Sequence, residues 1–349
     1  MARELKIGDR HIHDDSDCYV IAEIGHNHQG NFETAKEMIR VARECGADAV
    51  KFQKRDNRSL FTKAYYDKPY DNELSYGPTY GLHREALELS KDQFKELINF
   101  AGELEIDFLS TAFDFASADL LNELGVQGFK IASGDAKTTP LMKYLAAFGK
   151  PLILSTGGCS MEDVHRIYDT IMPINKNLSI LQCTASYPCD YAHLDLNVIK
   201  TYRERFEDVV IGLSDHSNGI AMGPVAYLLG ARVIEKHFTL NRAMRGTDHA
   251  FSLEPVGLRK LVRDLKRVRV ALGSSQKRVH ECEKSPMVKM GKKLVAAKEL
   301  PKGHTLTRED IAMKSPGDGL QPYEMEHVIG KKLKHELKTD DDIMFAVLE

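Results

Sequence analysis

Short apolar, β-branched runs recur along this chain, and a segment with helical periodicity follows each one. The runs fall at 19–25, 49–53, 107–111, 128–133, 151–156, 178–184, 209–214 and 232–238 and predict eight strands. The segments between them carry helix signals. Asn31 is placed as an N-cap and Gly46 as a glycine just past a helix end, with Ala35, Met38, Ile39 and Ala42 on one face between them. Ser90 and Gln93 have the spacing of a capping box ahead of Phe94, Leu97, Ile98, Ala101 and Leu104, and Ser160 with Asp163 repeats it ahead of Val164, Ile167 and Ile171. Pro255 stands at a first helical position before the stripe Leu258, Leu261, Val262, Leu265 and Val268.

Eight such units in about 250 residues is the arithmetic of a TIM (β/α)8 barrel, an α/β fold. The competing architecture is a doubly wound open sheet, but no G-x-G-x-x-G follows the first run. The stretch 54–89, rich in Tyr, Asp, Asn and Pro, is expected as an extended loop over the barrel mouth. Residues 5–14, centred on Gly8-Asp9, are expected to form a hairpin closing the opposite end. The barrel is thus assigned to residues 1–273. Residues 274–290 are charged and aperiodic and read as a linker, and 291–349 read as a small domain with a Pro301-Lys302-Gly303 turn. A module of that size is weak alone and is expected to pack on its own barrel or on a second subunit.

Composition narrows the function classes. A net charge of −3, with both signs mixed, gives no basic stripe for nucleic acid. The six cysteines, Cys18, Cys45, Cys159, Cys183, Cys189 and Cys282, form no C-x-x-C pair and are expected to be reduced thiols. The opening residues are polar, unlike a signal peptide, and no apolar run reaches the length of a membrane span, so a cytoplasmic location is expected, away from membranes.

In a TIM barrel the chemistry sits at the C-terminal ends of the strands. Three groups collect there. Lys51 and Lys130, with the hydroxyls of Thr111, Ser133 and Ser155 and the amides of Gly134 and Gly157, can cradle a phosphate and a carboxylate, unless each lysine only pairs with a neighbouring acid. His216 and His237 end adjacent strands. They either converge on a divalent ion, with Glu23 or Asp248 and water, or are ordinary core histidines. Glu23 and Asp248 are the acids best placed for proton transfer or for orienting their neighbours.

At these residues the sequence resembles the sialic acid synthase family, the N-acetylneuraminate and related nonulosonate synthases. The stretches that carry the likeness are I-A-E-I-G-H-N-H-Q-G (21–30), V-K-F-Q (50–53), S-T-A-F (110–113), F-K-I-A-S-G-D (129–135), L-S-T-G (154–157), C-T-A-S-Y-P (183–188), G-L-S-D-H-S (212–217), E-K-H-F-T (235–239) and G-T-D-H-A-F-S-L-E-P (246–255), in family order. The tail, with V-A-A-K-E-L-P-K-G-H-T-L (295–306) and K-S-P-G-D-G-L (314–320), resembles the family's antifreeze-like SAF domain of the β-clip type.

The resemblance implies an aldol-type condensation of phosphoenolpyruvate with a hexosamine-type aldose such as N-acetylmannosamine. It implies that Lys51, Thr111, Lys130, Ser133, Ser155 and Ser214 bind phosphoenolpyruvate, and that Gln53, Asp135, Tyr187 and Asp248 contact the sugar. Glu23, His237 and Asp248 would be catalytic, Glu23 as acid, base or electrostatic stabiliser. His216 and His237 would hold a divalent metal, Mn2+ first, with Mg2+ or Co2+ as alternatives. It further implies a domain-swapped homodimer in which the tail of one subunit covers its partner's site.

Two departures fall on the sugar side. The family's tail motif has Arg where Ser315 stands, and serine supplies neither its charge nor its fork of donors, although Lys314 is a neighbouring cation. Some members also have Asn where Ala185 stands. A phosphorylated or non-N-acetylated acceptor is therefore an alternative, and a catalytically inactive binding protein is the alternative from a different class.

Overall fold

The computed structural model describes residues 3–349, which divide into two compact units, one ending at Gly273 and the other spanning Ser274–Glu349. In the first unit a hairpin, β1 (Glu4–Ile7) and β2 (Arg10–His13), precedes β3 (Tyr19–Gly25), α1 (Phe32–Glu44) and β4 (Ala49–Lys54). Three one-turn helices follow, α2 (Asn57–Leu60), α3 (Lys63–Tyr66) and α4 (Tyr80–Glu85). Then come α5 (Lys91–Glu103), β5 (Asp107–Ala112), α6 (Phe115–Leu124), β6 (Gly128–Ile131), α7 (Thr139–Ala147), β7 (Leu152–Ser155) and α8 (Met161–Ile171). The unit ends with β8 (Leu178–Cys183), α9 (Val198–Arg205), β9 (Val210–Asp215), α10 (Met222–Leu228), β10 (Val233–His237) and α11 (Pro255–Leu272).

Strands β3 to β10 pair in parallel in chain order, and β10 closes on β3, with Val233 opposite Tyr19 and His237 opposite Glu23. The caps stand where the sequence places them. The Asn31 side chain accepts from the Thr34 amide, Ser90 with Gln93 and Ser160 with Asp163 form reciprocal capping boxes, and Gly46 has a φ of 86°. Side chains alternate between the two faces of a strand. One set (Val20, Ala22, Val50, Phe52, Phe108, Ile180, Ile211 and Ile234) joins the layer of helices in the main core.

The other set faces the barrel axis. At the N-terminal end it is apolar: Tyr19, Ile21, Ala49, Leu109, Ile153, Leu181, Val210 and Val233 pack together with Leu5, Ile7 and Ile12 of the hairpin. The hairpin is therefore a plug, its three apolar side chains at most 3% exposed. Burying each stabilises the fold by ~1.5–3 kcal/mol.

The stretch 54–89 is not the irregular loop expected. Asp56, Thr62 and Thr79 cap its three short helices, and Phe61, Tyr65, Tyr70 and Tyr80 pack ring against ring. One-turn helices carry no period long enough to read in a sequence.

In the second unit, the segment expected as a linker contains α12 (Glu281–Met290), held by Glu283 bonding back to the His280 amide. None of its residues is buried, which is why it has no apolar stripe to read. Beyond it, β11 (Lys293–Ala296) pairs antiparallel with β12 (Ile311–Lys314) over a core that includes Leu294, Leu306, Val328, Leu333 and Ile343. Asp310, 1% exposed, ties that core's turns together by accepting from Lys298, His304 and the Thr307 amide.

Candidate active site

Two residues further along five of the eight strands, the axis-facing set turns polar. Ile21 gives way to Glu23, Ala49 to Lys51, Leu109 to Thr111, Ile153 to Ser155 and Val233 to Glu235 and then His237, while β6 and β9 add Lys130 and Ser214. These side chains line a cavity of about 770 Å³ that also takes in Gln53, Ser133, Tyr187, His216 and Asp248. Of the residues picked from the sequence for the cavity, Asp135 and Gly157 stay outside that lining. A turn of 3-10 helix, Ser133–Asp135, carries Ser133 to the cavity, and the half-buried Asp135 accepts from Thr138 Oγ1 at 3.4 Å.

The floor holds two lysines and two glutamates, all at most 5% exposed. Lys51 Nζ lies 2.7 Å from Glu23 Oε2 and 3.8 Å from Glu235 Oε1, and donates to Thr111 Oγ1 at 3.1 Å. Gln53 Nε2 donates to Glu23 Oε1 at 2.6 Å, and Ser214 Oγ to Glu235 Oε1 at 3.3 Å. Buried charges at this density are tolerable only when paired.

The two glutamates are pushed apart. Burial, helped by the Glu235 charge, lifts Glu23 above the usual carboxylate range against the pull of Lys51 and Gln53. Burial acts upward on Glu235 too, but Lys51 and Lys130 outweigh it and hold Glu235 low. Burial also lowers Lys130, whose ammonium donates to the Ile131 carbonyl at 2.9 Å. Paired groups driven apart in this way are suited to opposite proton-transfer roles.

Anion-binding groups line the β6–β7 side. The Gly157 amide donates to Ser133 Oγ at 3.0 Å, and the buried Ser155 Oγ has no partner. A Cβ on Gly157 would stand 2.7 Å from both Ser133 Oγ and the Ala185 Cβ, so only glycine allows this approach.

Across the cavity, the rings of His216 and His237 lie 5.4 Å apart, with Tyr187 at 4.2 Å from His216 and Phe251 at 4.9 Å from His237. His216 Nδ1 bonds the Thr184 carbonyl at 3.0 Å, which leaves Nε2 free to ligate. His237 Nδ1 is buried without a hydrogen-bond partner, 3.8 Å from Asp248 Oδ2. Among the described residues no three His, Cys, Asp or Glu side chains form a complete cage. Two imidazoles 5.4 Å apart on the cavity wall are a donor set that a divalent ion accepts.

Sequence reasoning missed Glu235, Arg55, Arg84, Tyr70 and Tyr80, all on the cavity wall. Glu235 had a signal, since it stands two residues before His237 and shares its face. The other four come from the stretch 54–89, where no period exists to place them. Lys314, the cation beside Ser315, pairs with Asp340 in its own unit.

A profile of the NeuB family matches residues 38–277, and one of the SAF domain matches 293–349. The chain is 40% identical to N-acetylneuraminate-9-phosphate synthase of Mus musculus over 333 residues, covering 95% of this chain and 93% of that one. It is 34% identical to N,N'-diacetyllegionaminic acid synthase of Legionella pneumophila, covering 95% of each chain. A crystal structure of N-acetylneuraminic acid synthetase from Leptospira borgpetersenii, in complex with citrate, superposes with a TM-score of 0.71 at 30% identity, covering 82% of this chain and 96% of that one. With a model of that family matching well over half of its length, the chain, an eight-stranded closed barrel followed by a SAF domain, belongs to the NeuB family of carbon–carbon bond-forming synthases.

Proposed function

We propose that this enzyme condenses phosphoenolpyruvate with an open-chain aldose of the hexosamine type, N-acetylmannosamine or a relative, to give a nonulosonic acid and phosphate. The observation that carries the reading is the polar layer itself. Two lysines, a row of hydroxyls and two histidines face the same cavity. A doubly anionic donor fits the lysines and hydroxyls, and an aldehyde oxygen the histidines.

Lys51, Lys130, Thr111, Ser133, Ser155 and Ser214 hold the phosphate and carboxylate of phosphoenolpyruvate and fix its C3 toward the acceptor, with the Gly157 amide positioning Ser133. His216 and His237 would hold a divalent ion, Mn2+ being the first candidate. When bound, such an ion supplies Lewis-acid polarisation of the aldehyde. Gln53, Tyr187 and Asp248 orient the sugar. The new bond joins C3 of phosphoenolpyruvate to the aldehyde carbon, and the aldehyde oxygen takes a proton to become a hydroxyl. Water adds its oxygen to C2 and releases one proton; the C2–O bond to phosphate then breaks with its electron pair going to phosphate, and the new C2 hydroxyl becomes the product ketone by passing its proton to the departing phosphate. Glu23, lifted by burial, is the group suited to hold the proton for the aldehyde oxygen, and Glu235, held ionised, to receive the one from water.

The test is phosphate release from phosphoenolpyruvate with Mn2+ over a panel of aldoses, with product masses measured. A product heavier than its acceptor by one pyruvate unit is expected. In His237→Ala, metal dependence and activity should vanish together while the fold, followed by circular dichroism, survives. Near-normal turnover in that variant would remove the metal assignment. Failure of the wild type to bind phosphoenolpyruvate at all would overturn the reaction.

A further inference from the structure

The outward face of β10 carries one charge in an apolar row. Ile234, Lys236 and Phe238 alternate with the axis-facing Val233, Glu235 and His237, and Ile234 and Phe238 belong to the main core. On the neighbouring strand β9, Ile211 and Leu213 join the same core, and the next residue on that face is Asp215. Lys236 and Asp215 stand opposite each other in the ladder and pair at 2.7 Å, with side chains 1% and 2% exposed. Among the described residues no ion pair is buried more deeply.

The pair closes on one further residue. Asp215 Oδ1 accepts from the Ser217 amide at 2.8 Å and from Ser217 Oγ at 2.7 Å, and Lys236 Nζ donates to the Ser217 carbonyl. Neither Lys236 nor Asp215 lines the cavity, so the pair reaches bound molecules only through its neighbours. Burying two charges here costs more than burying an apolar pair of the same volume, so stability alone does not call for ions at this point of the core.

The neighbours are the two histidines. Asp215 immediately precedes His216, and Lys236 immediately precedes His237. His216 is the first residue past the last rung between β9 and β10. Its carbonyl accepts from the Cys189 amide at 3.0 Å and its Nδ1 bonds the Thr184 carbonyl at 3.0 Å, which ties it to the segment after β8. The side-chain tie to β10, the strand of His237, runs through Lys236. Asp215 brackets His216 by holding Ser217 on its far side, and Lys236 holds both ends of the bracket.

Resting on the divalent-ion reading of His216 and His237 proposed above, we infer that Lys236 and Asp215 are positioning residues for that ion: they lock the peptide of His216 to β10 and hold the two imidazoles at their 5.4 Å separation before the ion arrives. A ring pair fixed in advance loses little freedom on binding, which raises affinity for the ion and leaves the phosphoenolpyruvate cradle unaffected.

The experiment measures Mn2+ binding to the metal-stripped full chain by calorimetry, and phosphoenolpyruvate binding without metal in the same way. Wild type and His237→Ala are compared with two double variants. Lys236→Met with Asp215→Leu removes both charges and every tie. Lys236→Met with Asp215→Asn removes both charges but keeps an acceptor for the Ser217 amide. Because both members of the pair are replaced together, neither variant leaves a lone buried charge, and circular dichroism checks the fold. Mn2+ affinity should fall at least tenfold in the Leu variant, and at least threefold but by less in the Asn variant. Affinity for phosphoenolpyruvate should stay within about threefold in both, a split that general loosening of the barrel would not produce.

A loss of Mn2+ affinity short of these limits, in either variant that folds, would overturn the inference and leave the metal reading standing. Equal losses for Mn2+ and phosphoenolpyruvate would also overturn it, by making the pair a prop of the whole barrel. Should the Leu variant fail to fold, the nearly isosteric Asn variant decides alone by its own limit. Wild type that binds no Mn2+, or binds it as well as His237→Ala does, would overturn the inference together with the metal reading it rests on.

Discussion

His28 places a titratable group where the barrel can least accommodate its charge. The ring is 2% exposed, lies against Phe52 with centroids 5.8 Å apart, and accepts the Gly30 amide at Nδ1 over 3.1 Å. Burial lowers its pKa from an ordinary 6.5 to about 4, with Glu88 opposing the shift. A histidine depressed on folding is protonated first in the unfolded chain. Its contribution to stability is therefore complete above pH 6.5 and is lost as pH falls through 6.5 toward 4. For these two values the loss is about 2 kcal/mol at pH 5 and about 3 kcal/mol at pH 4. The perturbation is His28→Asn, which keeps an acceptor near the Gly30 amide and removes the titration. Urea unfolding at pH 7.5 and pH 5, followed by far-ultraviolet circular dichroism, gives the measurement. Any constant cost of the substitution cancels in the difference between the two pH values. Wild type should lose about 2 kcal/mol more than the variant over that interval. Equal losses would show that His28 is not held neutral, and would remove the tight packing inferred for the turn that follows Glu23.

Two substitutions test the polar layer and the floor beneath it. Glu235→Gln should lower kcat by ~100-fold or more without raising the KM for phosphoenolpyruvate, because it removes the proton acceptor while leaving both lysines; an unchanged kcat with a higher KM would recast Glu235 as part of the cradle. Gly212→Ala should destabilise the barrel by about 2–3 kcal/mol in chemical unfolding, since a Cβ there would come within 2.4 Å of the Val233 carbonyl and the Leu181 side chain; a midpoint within error of wild type would show that β9 and β10 can part at that register.

The barrel was legible from sequence for a physical reason. A parallel strand covered on both faces is a short apolar run, and the helix after it is amphipathic with caps at fixed offsets, so each βα unit announces both of its parts. The site was legible for the same reason. Once 19–25 and 232–238 are strands, period two places Glu23 and His237 on one face, and the barrel places that face on the axis. Asp135 fell outside because it lies past its strand, on a turn that aims alternate residues in ways no period describes. Arg55, Tyr70, Tyr80 and Arg84 were missed for the same cause, as their positions depend on three one-turn helices whose order is set by aromatic contacts between distant residues.

That difference in legibility divides the chemistry. Everything proposed to act on the reacting carbons hangs from strands: Glu23 and Lys51 on neighbours β3 and β4, Glu235 and His237 on β10, with β10 paired to β3 in register. Their relative positions are fixed by backbone hydrogen bonds, so changing one charge leaves the others in place. The upper wall of the cavity comes from the stretch 54–89, where Arg84 and Arg55 are held by Tyr80, Phe113, Gln53 and His26 and by no strand pairing of their own. Under the proposed condensation, the groups for the reacting carbons are therefore read from the strand ends, while the upper wall of the cavity comes from side chains whose positions no strand register sets.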